Sequence, residues 1–255
     1  MKYPGAKTVL IPDIMQIFLG SRKRSFVDVF GGSGIVSLNT TIKDVVYNEI
    51  DPELSNLFRH LKEHPERIIK ILRETVNSGS LPDNNQIRNL CSKPGTIDAA
   101  FGTLMRFTVS FGGMGDTYNT REKSTLGYAR KTLGQMESIT AKVKSWKIEN
   151  MDFRELFKKY DSPYTFFYMD PPYSDRRWYN YNFTGQDYED LRVIMTQIEG
   201  KYLMTVDRDD DYVYEIFGKP QLTMEYENKN QDTSVGFLPP RVKSFYTNIK
   251  VGTQS

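Results

Sequence analysis

The sequence predicts an α/β fold, with an open and mostly parallel sheet that is interrupted by a mainly helical insertion. The apolar run over 25–30 predicts a buried strand, the glycine-rich stretch 31–34 a tight turn, and 44–49 a second strand. A helix between the two strands would make them one right-handed β-α-β unit. Further strand-like runs come only after residue 145, so the chain in between is expected to be an insertion.

The spacing of apolar and turn-forming residues places the remaining elements. In chain order we expect the start of a helix over 35–41, a helix over 52–71, a polar loop over 77–95, a helix over 99–105, a glycine-rich hairpin or loop over 111–119, a helix over 133–142, and strands over 146–149, 165–169, 202–206 and 244–251. The predicted core therefore covers 1–56 and 135–255, and the predicted insertion covers 57–134.

The composition favours a soluble, cytosolic protein that does not contact a membrane. Of the 255 residues 38% are hydrophobic, and no apolar run suggests a transmembrane span or a signal peptide. The formal net charge is only +2. A surface that binds nucleic acid would therefore have to be a local basic face.

Cysteine and histidine are scarce, with one cysteine and two histidines in the chain. Cys91 is the single cysteine, so no intrachain disulfide can form, and we expect an inert thiol. His60 and His64 stand four residues apart on an expected helix, but no carboxylate or cysteine cluster completes a metal site. We expect a solvated helix face there and no metal.

The glycine turn after the first expected strand predicts a cofactor site. Glycines in Phe30 to Gly34 would let the backbone approach a ligand closely. Glu49 ends the next strand, where an acidic side chain in such folds accepts hydrogen bonds from ribose hydroxyls. The full glycine pattern that serves a pyrophosphate is absent, so S-adenosylmethionine fits better than NAD.

The sequence Asp170-Pro171-Pro172-Tyr173 directly follows the expected strand over 165–169. Ligands bind at this carboxyl edge of an open α/β sheet. Two prolines fix the backbone and leave carbonyl acceptors without local N–H donors, while Asp170 adds an acceptor and Tyr173 a stacking face. Two acceptors on an exocyclic amine would direct its lone pair towards an incoming methyl group. The alternative is a simple strand-terminating turn.

This order of motifs resembles the Dam-like DNA adenine-N6 methyltransferases of bacteria and phages, and the resemblance covers most of the chain. It implies a Rossmann-like core, double-stranded DNA as partner, and methylation of an adenine flipped out of the duplex. The catalytic residues it implies are Asp170, Pro171, Pro172 and Tyr173. The cofactor residues it implies are Tyr3, Lys7, Phe30, Gly31, Gly32, Gly34, Glu49, Asp152, Phe153 and Asp170.

Several positions depart from the family's pattern. Glu49 stands where members usually have aspartate, which preserves the acceptor. The loop 174–179 and the segment 203–207 also differ from the usual residues, whereas Asn182-Phe183-Thr184 matches. The recognition hairpin is matched only loosely, so the target GATC is not assumed. The aromatic run 178–183 would either cover a flipped base or pack internally.

We expect the insertion to supply most of the contacts to DNA, because basic residues follow its glycine-rich loop. The expected contacts are Lys2, Arg106, Tyr118, Asn119, Arg121, Lys123 and Arg130. The run 22–24 is instead expected to be a solvated turn. Three alternatives stay open: an N4-cytosine methyltransferase, a catalytically silent DNA-binding homologue, and an RNA methyltransferase.

Overall fold

The computed structural model describes the backbone of residues 8–109, 122–172, 181–207, 211–226 and 241–250, and their side chains apart from 122–124, 207 and 241. The chain divides into two compact units. We call Met1–Thr8 with Gly31–Met151 the helical unit, and Val9–Phe30 with Asp152–Ser255 the sheet unit. Within these described ranges, none of the helices combines the length with the apolar composition that a membrane span requires.

The sheet unit contains a mixed sheet with the strands β1 Ser25–Asp28, β4 Thr165–Met169, β5 Lys201–Asp207, β6 Leu222–Tyr226 and β7 Arg241–Thr247. These strands follow the order β1-β4-β5-β7-β6. Strands β1, β4 and β5 are parallel, and β7 and β6 are each antiparallel to their neighbours. The helices of this unit are α1 Ile11–Gly20, α7 Phe153–Tyr160, α8 Gly185–Gln197 and α9 Asp211–Phe217.

Strand β4 lies between β1 and β5, and all five of its residues are buried. A strand covered on both faces has a continuous apolar sequence and not an alternating one, which explains the run Thr-Phe-Phe-Tyr-Met. Phe26 of β1 stacks on Phe166 of β4 with ring centres 5.6 Å apart, and Phe18 of α1 meets both rings edge-on. These contacts fix the strand that leads into Asp170.

The helical unit pairs two parallel strands, β2 Val45–Asn48 and β3 Lys147–Glu149. Five helices lie between them in the described part of the chain. They are α2 Pro52–Glu63, α3 Pro65–Ser78, α4 Asn84–Cys91, α5 Ile97–Val109 and α6 Glu122–Val143. The predicted α/β class with a mainly helical insertion is confirmed. Both predicted boundaries, at 57 and 134, fall inside helices, and they remain predictions.

The helix expected over 35–41 is wrong: the segment holds only a short 3-10 turn, Ser37–Asn39. Polar side chains here bond back to nearby carbonyls and so compete with α-helical hydrogen bonds. The Asn39 amide donates to the Ile35 carbonyl at 2.7 Å, and the Thr40 hydroxyl to the Ser37 carbonyl at 2.9 Å.

Two other predicted segments differ from the structure in their length or in their type. The helix expected over 52–71 is two helices, because Pro65 starts a new one and His64 leaves the helical region with φ −136° and ψ 47°. The loop expected over 77–95 contains α4, which begins with a reciprocal capping box between Asp83 and Gln86. Helices α1, α7 and α9 and strand β6 were not expected.

Candidate active site

The glycine turn that follows β1 directs its backbone donors inwards. The Gly31 N–H donates to the Asn48 carbonyl at 2.8 Å, the Gly32 N–H to Glu49 Oε2 at 2.7 Å, and the Gly34 N–H to the Gly31 carbonyl at 2.8 Å. Gly32 and Gly34 have φ of 48° and 67°, which favours glycine. These hydrogen bonds and backbone angles define the conformation of the turn.

Gly31 is required for a different reason, which is close approach. A Cβ at this position would lie 2.2 Å from Cε2 of Tyr47. The Tyr47 ring cannot move aside easily, because it is buried against Phe58 and stacks on Trp146, and its hydroxyl donates to the Gly32 carbonyl at 2.7 Å. The turn and the aromatic core beneath it therefore form one packed structure.

Glu49 lies directly after β2 and is only 8% exposed. Besides Gly32, its carboxylate accepts the Asp51 N–H at 3.0 Å through Oε1. Burial raises the pKa of the Glu49 carboxyl from 4.5 to about 7, although the two backbone hydrogen bonds oppose that rise. A carboxylate bonded to the turn's own N–H disfavours a phosphate at the same place.

This raised pKa predicts a pH-dependent stability. Between pH 4.5 and about 7 the folded chain keeps a proton that the unfolded chain has released. The free energy of unfolding should therefore fall as the pH rises through this window. We expect the wild type to lose about 2–3 kcal/mol relative to Glu49→Gln between pH 5 and pH 8, measured by urea unfolding. Parallel pH profiles for the two proteins would contradict this assignment.

Two asparagines that sequence reasoning missed hold the Glu49 segment. The Asn48 side chain bonds both the N–H and the carbonyl of Met151, each at 3.1 Å. The Asn150 amide donates to the carbonyls of Glu49 and Ile50 at 2.7 and 2.9 Å. Their signal in the sequence is an asparagine at or just after the end of each of two neighbouring strands.

In the sheet unit, Asp170, Pro171 and Pro172 directly follow β4, at the carboxyl edge of the parallel strands. Pro171 is buried, and Asp170 and Pro172 are half-buried. The hydroxyl of Tyr188 in α8 donates a hydrogen bond to the Pro172 carbonyl. The predicted catalytic segment is thus held from the side by a buried tyrosine. Its last residue, Tyr173, lies outside the described residues.

Three aromatic rings meet beside the start of α7. Phe30 and Phe183 lie 5.2 Å apart, and both lie within 6 Å of Phe153, at 5.9 and 5.3 Å between ring centres. Phe30 and Phe153 were both expected to bind the cofactor, and the structure brings them together. Phe183 belongs to the aromatic run 178–183, which was expected either to cover a flipped base or to pack internally. Its ring packs against those of Phe30 and Phe153. Phe153 is 4% exposed, which leaves Phe30 and Asp152 as the more accessible candidates.

Arg154 fixes the segment that carries Asp152 and Phe153. Its guanidinium lies 4.3 Å from the centre of the Phe153 ring and contacts three carboxylates. The contacts are Asp152 at 3.0 Å, Asp187 at 2.6 Å and Asp190 at 2.6 Å. Burial opposes charge on Arg154, but these hydrogen bonds outweigh it and raise its pKa above the usual value. The N-termini of α7 and α8 are thereby joined.

Of the residues expected to contact DNA, the structure describes the side chains of Arg106 and Arg130. Arg130 is exposed on α6. Arg106 forms a half-buried ion pair with Glu53 and lies over the Phe107 ring, so its guanidinium already has a structural partner. Lys23 belongs to the run 22–24, which was expected to be a solvated turn, and it donates to the Pro163 carbonyl at 2.6 Å, 140 positions later in the chain. The side-chain positions of Lys2, Tyr3, Lys7, Tyr118, Asn119, Arg121 and Lys123 lie outside the described residues.

Metal ligands are not grouped in the part of the chain that the structure describes. No cluster of three or more His, Cys, Asp or Glu side chains there could hold a metal ion. His60 Nε2 lies 3.2 Å from the Gly95 carbonyl, and the His64 ring lies 5.6 Å from that of His60. Burial raises the pKa of the Cys91 thiol, which favours the unreactive protonated form.

Comparison with known proteins identifies the family. The model of the D12 class N6 adenine-specific DNA methyltransferases matches residues 3–87 and 103–233. The chain is 26% identical to type II methyltransferase M1.LlaDCHI of Lactococcus lactis subsp. cremoris, over 78% of this chain and 76% of that protein.

Two further relatives are more distant or less fully covered. Modification methylase StsI of Streptococcus sanguinis is 21% identical over 68% of this chain and 28% of its own length. The DNA adenine methylase of Haemophilus influenzae is 26% identical over 72% of this chain and 66% of its own length. Since the family model covers most of the sequence, the chain belongs to the D12 class of N6 adenine-specific DNA methyltransferases.

Proposed function

We propose that this DNA methyltransferase uses S-adenosylmethionine to methylate the N6 amino group of an adenine that has been flipped out of double-stranded DNA. The observation that carries the proposal is the Asp170-Pro171-Pro172 segment at the carboxyl end of β4, held by Tyr188. DNA and cofactor both occur in the cytoplasm of a bacterial or phage-infected cell, and we infer that location for the protein.

The residues of the glycine turn fit a cofactor without phosphates. Three N–H groups of the turn donate hydrogen bonds to acceptors within the chain, and one of those acceptors is the Glu49 carboxylate. When bound, S-adenosylmethionine supplies an electrophilic methyl group on a sulfonium. We assign Glu49 to accept hydrogen bonds from the ribose hydroxyls, and Asp152 and Phe30 to contact the adenine. The turn 31–34 would let the backbone approach the cofactor closely. Tyr3 and Lys7 keep the cofactor role that the family resemblance implies.

The chemistry at the base requires acceptors for the two amino hydrogens. The lone pair of an exocyclic amine is delocalised into the ring, which makes the nitrogen a poor nucleophile. A carboxylate oxygen of Asp170 and the carbonyl of Pro171 can each accept one hydrogen, which returns electron density to the nitrogen. Because proline has no N–H, no donor within the Pro171-Pro172 pair competes for these acceptors. Tyr173 is assigned to stacking on the extruded base.

The function is tested by identifying the product. Purified protein would be incubated with S-adenosylmethionine and unmethylated duplex DNA, and the digested nucleosides measured by mass spectrometry. We expect N6-methyladenine and no N4-methylcytosine. A product of N4-methylcytosine, or equal methylation of an RNA competitor, would overturn the proposal, as would a binding-competent protein that gives no methylated base.

The cofactor assignment predicts that S-adenosylmethionine binds the protein in the absence of DNA. Glu49→Ala should weaken this affinity by about tenfold, because it removes an acceptor for two hydroxyl groups. Isothermal calorimetry measures both values. Asp83→Ala is the matched control, since it removes a helix-capping carboxylate of the same unit and should leave the affinity unchanged. Equal affinity of wild type and Glu49→Ala would remove Glu49 from the cofactor site.

The DNA assignment predicts a steep dependence of affinity on salt. We propose that Arg121, Lys123 and Arg130, in and before α6, contact phosphates. Replacing all three with alanine should reduce the slope of log affinity against log salt by about 2–3, because each phosphate contact contributes about 0.9. The control replaces Lys158 and Lys219, exposed residues of the sheet unit. An unchanged slope in the triple variant would place the DNA elsewhere.

A further inference from the structure

Tyr188 contacts the proposed catalytic segment, although it was not among the site residues predicted from the sequence. It is the fourth residue of α8, and its side chain is 1% exposed. Its hydroxyl donates to the Pro172 carbonyl, sixteen positions earlier in the chain. A buried tyrosine hydroxyl needs a hydrogen-bond partner, and here a carbonyl beside the proposed catalytic acceptors provides it.

The ring of Tyr188 is fixed on two sides. Phe183 meets it edge-on at 5.1 Å and Tyr212 of α9 at 5.7 Å. Phe183 in turn packs on Phe153, which lies next to the proposed cofactor residue Asp152. The hydroxyl is therefore aimed at Pro172 by packing and not by a flexible side chain.

Helix α8 is itself anchored. Thr184 and Asp187 form a reciprocal capping box at its start, with bonds of 3.3 and 2.7 Å to the backbone N–H groups. Asp187 also pairs with Arg154 of α7 at 2.6 Å. Hydrogen bonds from Thr184 and Arg154 lower the pKa of Asp187 although burial opposes the shift, so the pair is charged at neutral pH. The position of Tyr188 is thus set by the same arginine that holds Asp152.

We infer that Tyr188 is a positioning residue for methyl transfer. The rings of Pro171 and Pro172 fix φ at both residues, but ψ at Pro172 is left free, and neither residue has an N–H to anchor it. The hydrogen bond from Tyr188 to the Pro172 carbonyl supplies that missing constraint. It holds the peptide plane that follows the two proposed acceptors, Asp170 and Pro171. The inference rests on the acceptor role proposed for these two residues.

The test is Tyr188→Phe, which keeps the packed ring and removes only the hydroxyl. We expect the single-turnover rate of methyl transfer, at saturating DNA and S-adenosylmethionine, to fall about 10- to 100-fold, because small displacements of reacting groups have effects of this size. The affinities for cofactor and DNA should stay within about twofold of wild type, since the hydroxyl is assigned to neither contact.

Tyr246→Phe is the matched control. The hydroxyl of Tyr246, in β7, also donates to a backbone carbonyl, that of Gly218 at 3.0 Å. This variant should lose similar stability while it retains the wild-type rate. A wild-type rate in Tyr188→Phe would overturn the inference, and so would equal slowing in both variants. A second variant, Tyr212→Leu, loosens the Tyr188 ring but keeps its hydroxyl, and should slow the reaction by a smaller factor; an unchanged rate there would also count against the inference.

Comparing Asp170→Ala with Tyr188→Phe distinguishes an error in the positioning role of Tyr188 from an error in the proposed function. If Asp170→Ala methylates DNA normally, the acceptor role is wrong whatever Tyr188 does. If Asp170→Ala is inactive and Tyr188→Phe is normal, only the positioning role is wrong.

Discussion

Replacing Asp170 with alanine is expected to reduce the rate of methyl transfer by about 10²- to 10⁴-fold, the range found when a positioned acid, base or electrostatic group is removed. In the proposed mechanism the carboxylate acts on the amino group of the base and not on the DNA backbone. Specific DNA binding should therefore be largely retained. A radiolabelled methyl-transfer assay gives the rate, and fluorescence of 2-aminopurine at the target position reports base extrusion separately from chemistry.

The control for Asp170→Ala is Asp161→Ala. Asp161 precedes β4, at the opposite end of the strand from Asp170, and its carboxylate accepts the N–H groups of Glu199 and Gly200 at 3.0 Å each. Its removal should lower stability without a comparable loss of rate. If Asp170→Ala transfers methyl groups at near the wild-type rate, or if the two variants lose the same activity, the acceptor mechanism is wrong.

Gly31→Ala is expected to have the largest effect on stability. The added Cβ would lie 2.2 and 2.5 Å from two carbons of the Tyr47 ring, well inside van der Waals contact. Since that ring is packed on Phe58 and Trp146, strain cannot be relieved by a simple rotation. Overpacking of this kind lowers the free energy of unfolding by about 3 kcal/mol. The displaced turn should also lose affinity for S-adenosylmethionine.

Gly134→Ala is the matched control. Gly134 lies in helix α6, and a Cβ there has no neighbour within 4 Å. Alanine should therefore raise the free energy of unfolding by roughly 0.5–1 kcal/mol, because it replaces glycine inside a helix. Urea unfolding compares the two variants. A Gly31→Ala protein as stable as the wild type would show that the turn can adjust, and would weaken the argument that its geometry is fixed.

The elements that could be predicted are those with local signals. The strand β1, its glycine turn, the strand β2 and the Asp-Pro-Pro segment after β4 each occupy a few consecutive residues with a distinctive pattern. Helix α4 had such a signal too, in the spacing of Asp83 and Gln86, but the polar composition around it favoured a loop. Local patterns were sufficient where apolar periodicity and turn residues agreed.

The supporting contacts could not be predicted, because they join distant parts of the chain. Arg154 meets Asp187 33 positions later, and Asn150 bonds the Glu49 carbonyl 101 positions earlier. Nothing in the residues around Tyr188 indicates that its hydroxyl reaches Pro172. Such pairings follow from the order of strands and the placement of helices, which the sequence pattern alone does not fix.

The inward-facing donors of the glycine turn also bear on how the protein selects among the adenosine compounds of a cell. ATP and NAD share the adenosine group of S-adenosylmethionine, but they carry phosphates that need free N–H groups and positive potential. Here Gly32 donates to a carboxylate, and Gly31 and Gly34 donate to carbonyls of their own chain. On the proposed cofactor assignment these three N–H groups are not available to a phosphate, so we expect ATP and NAD to compete only weakly with S-adenosylmethionine for this site.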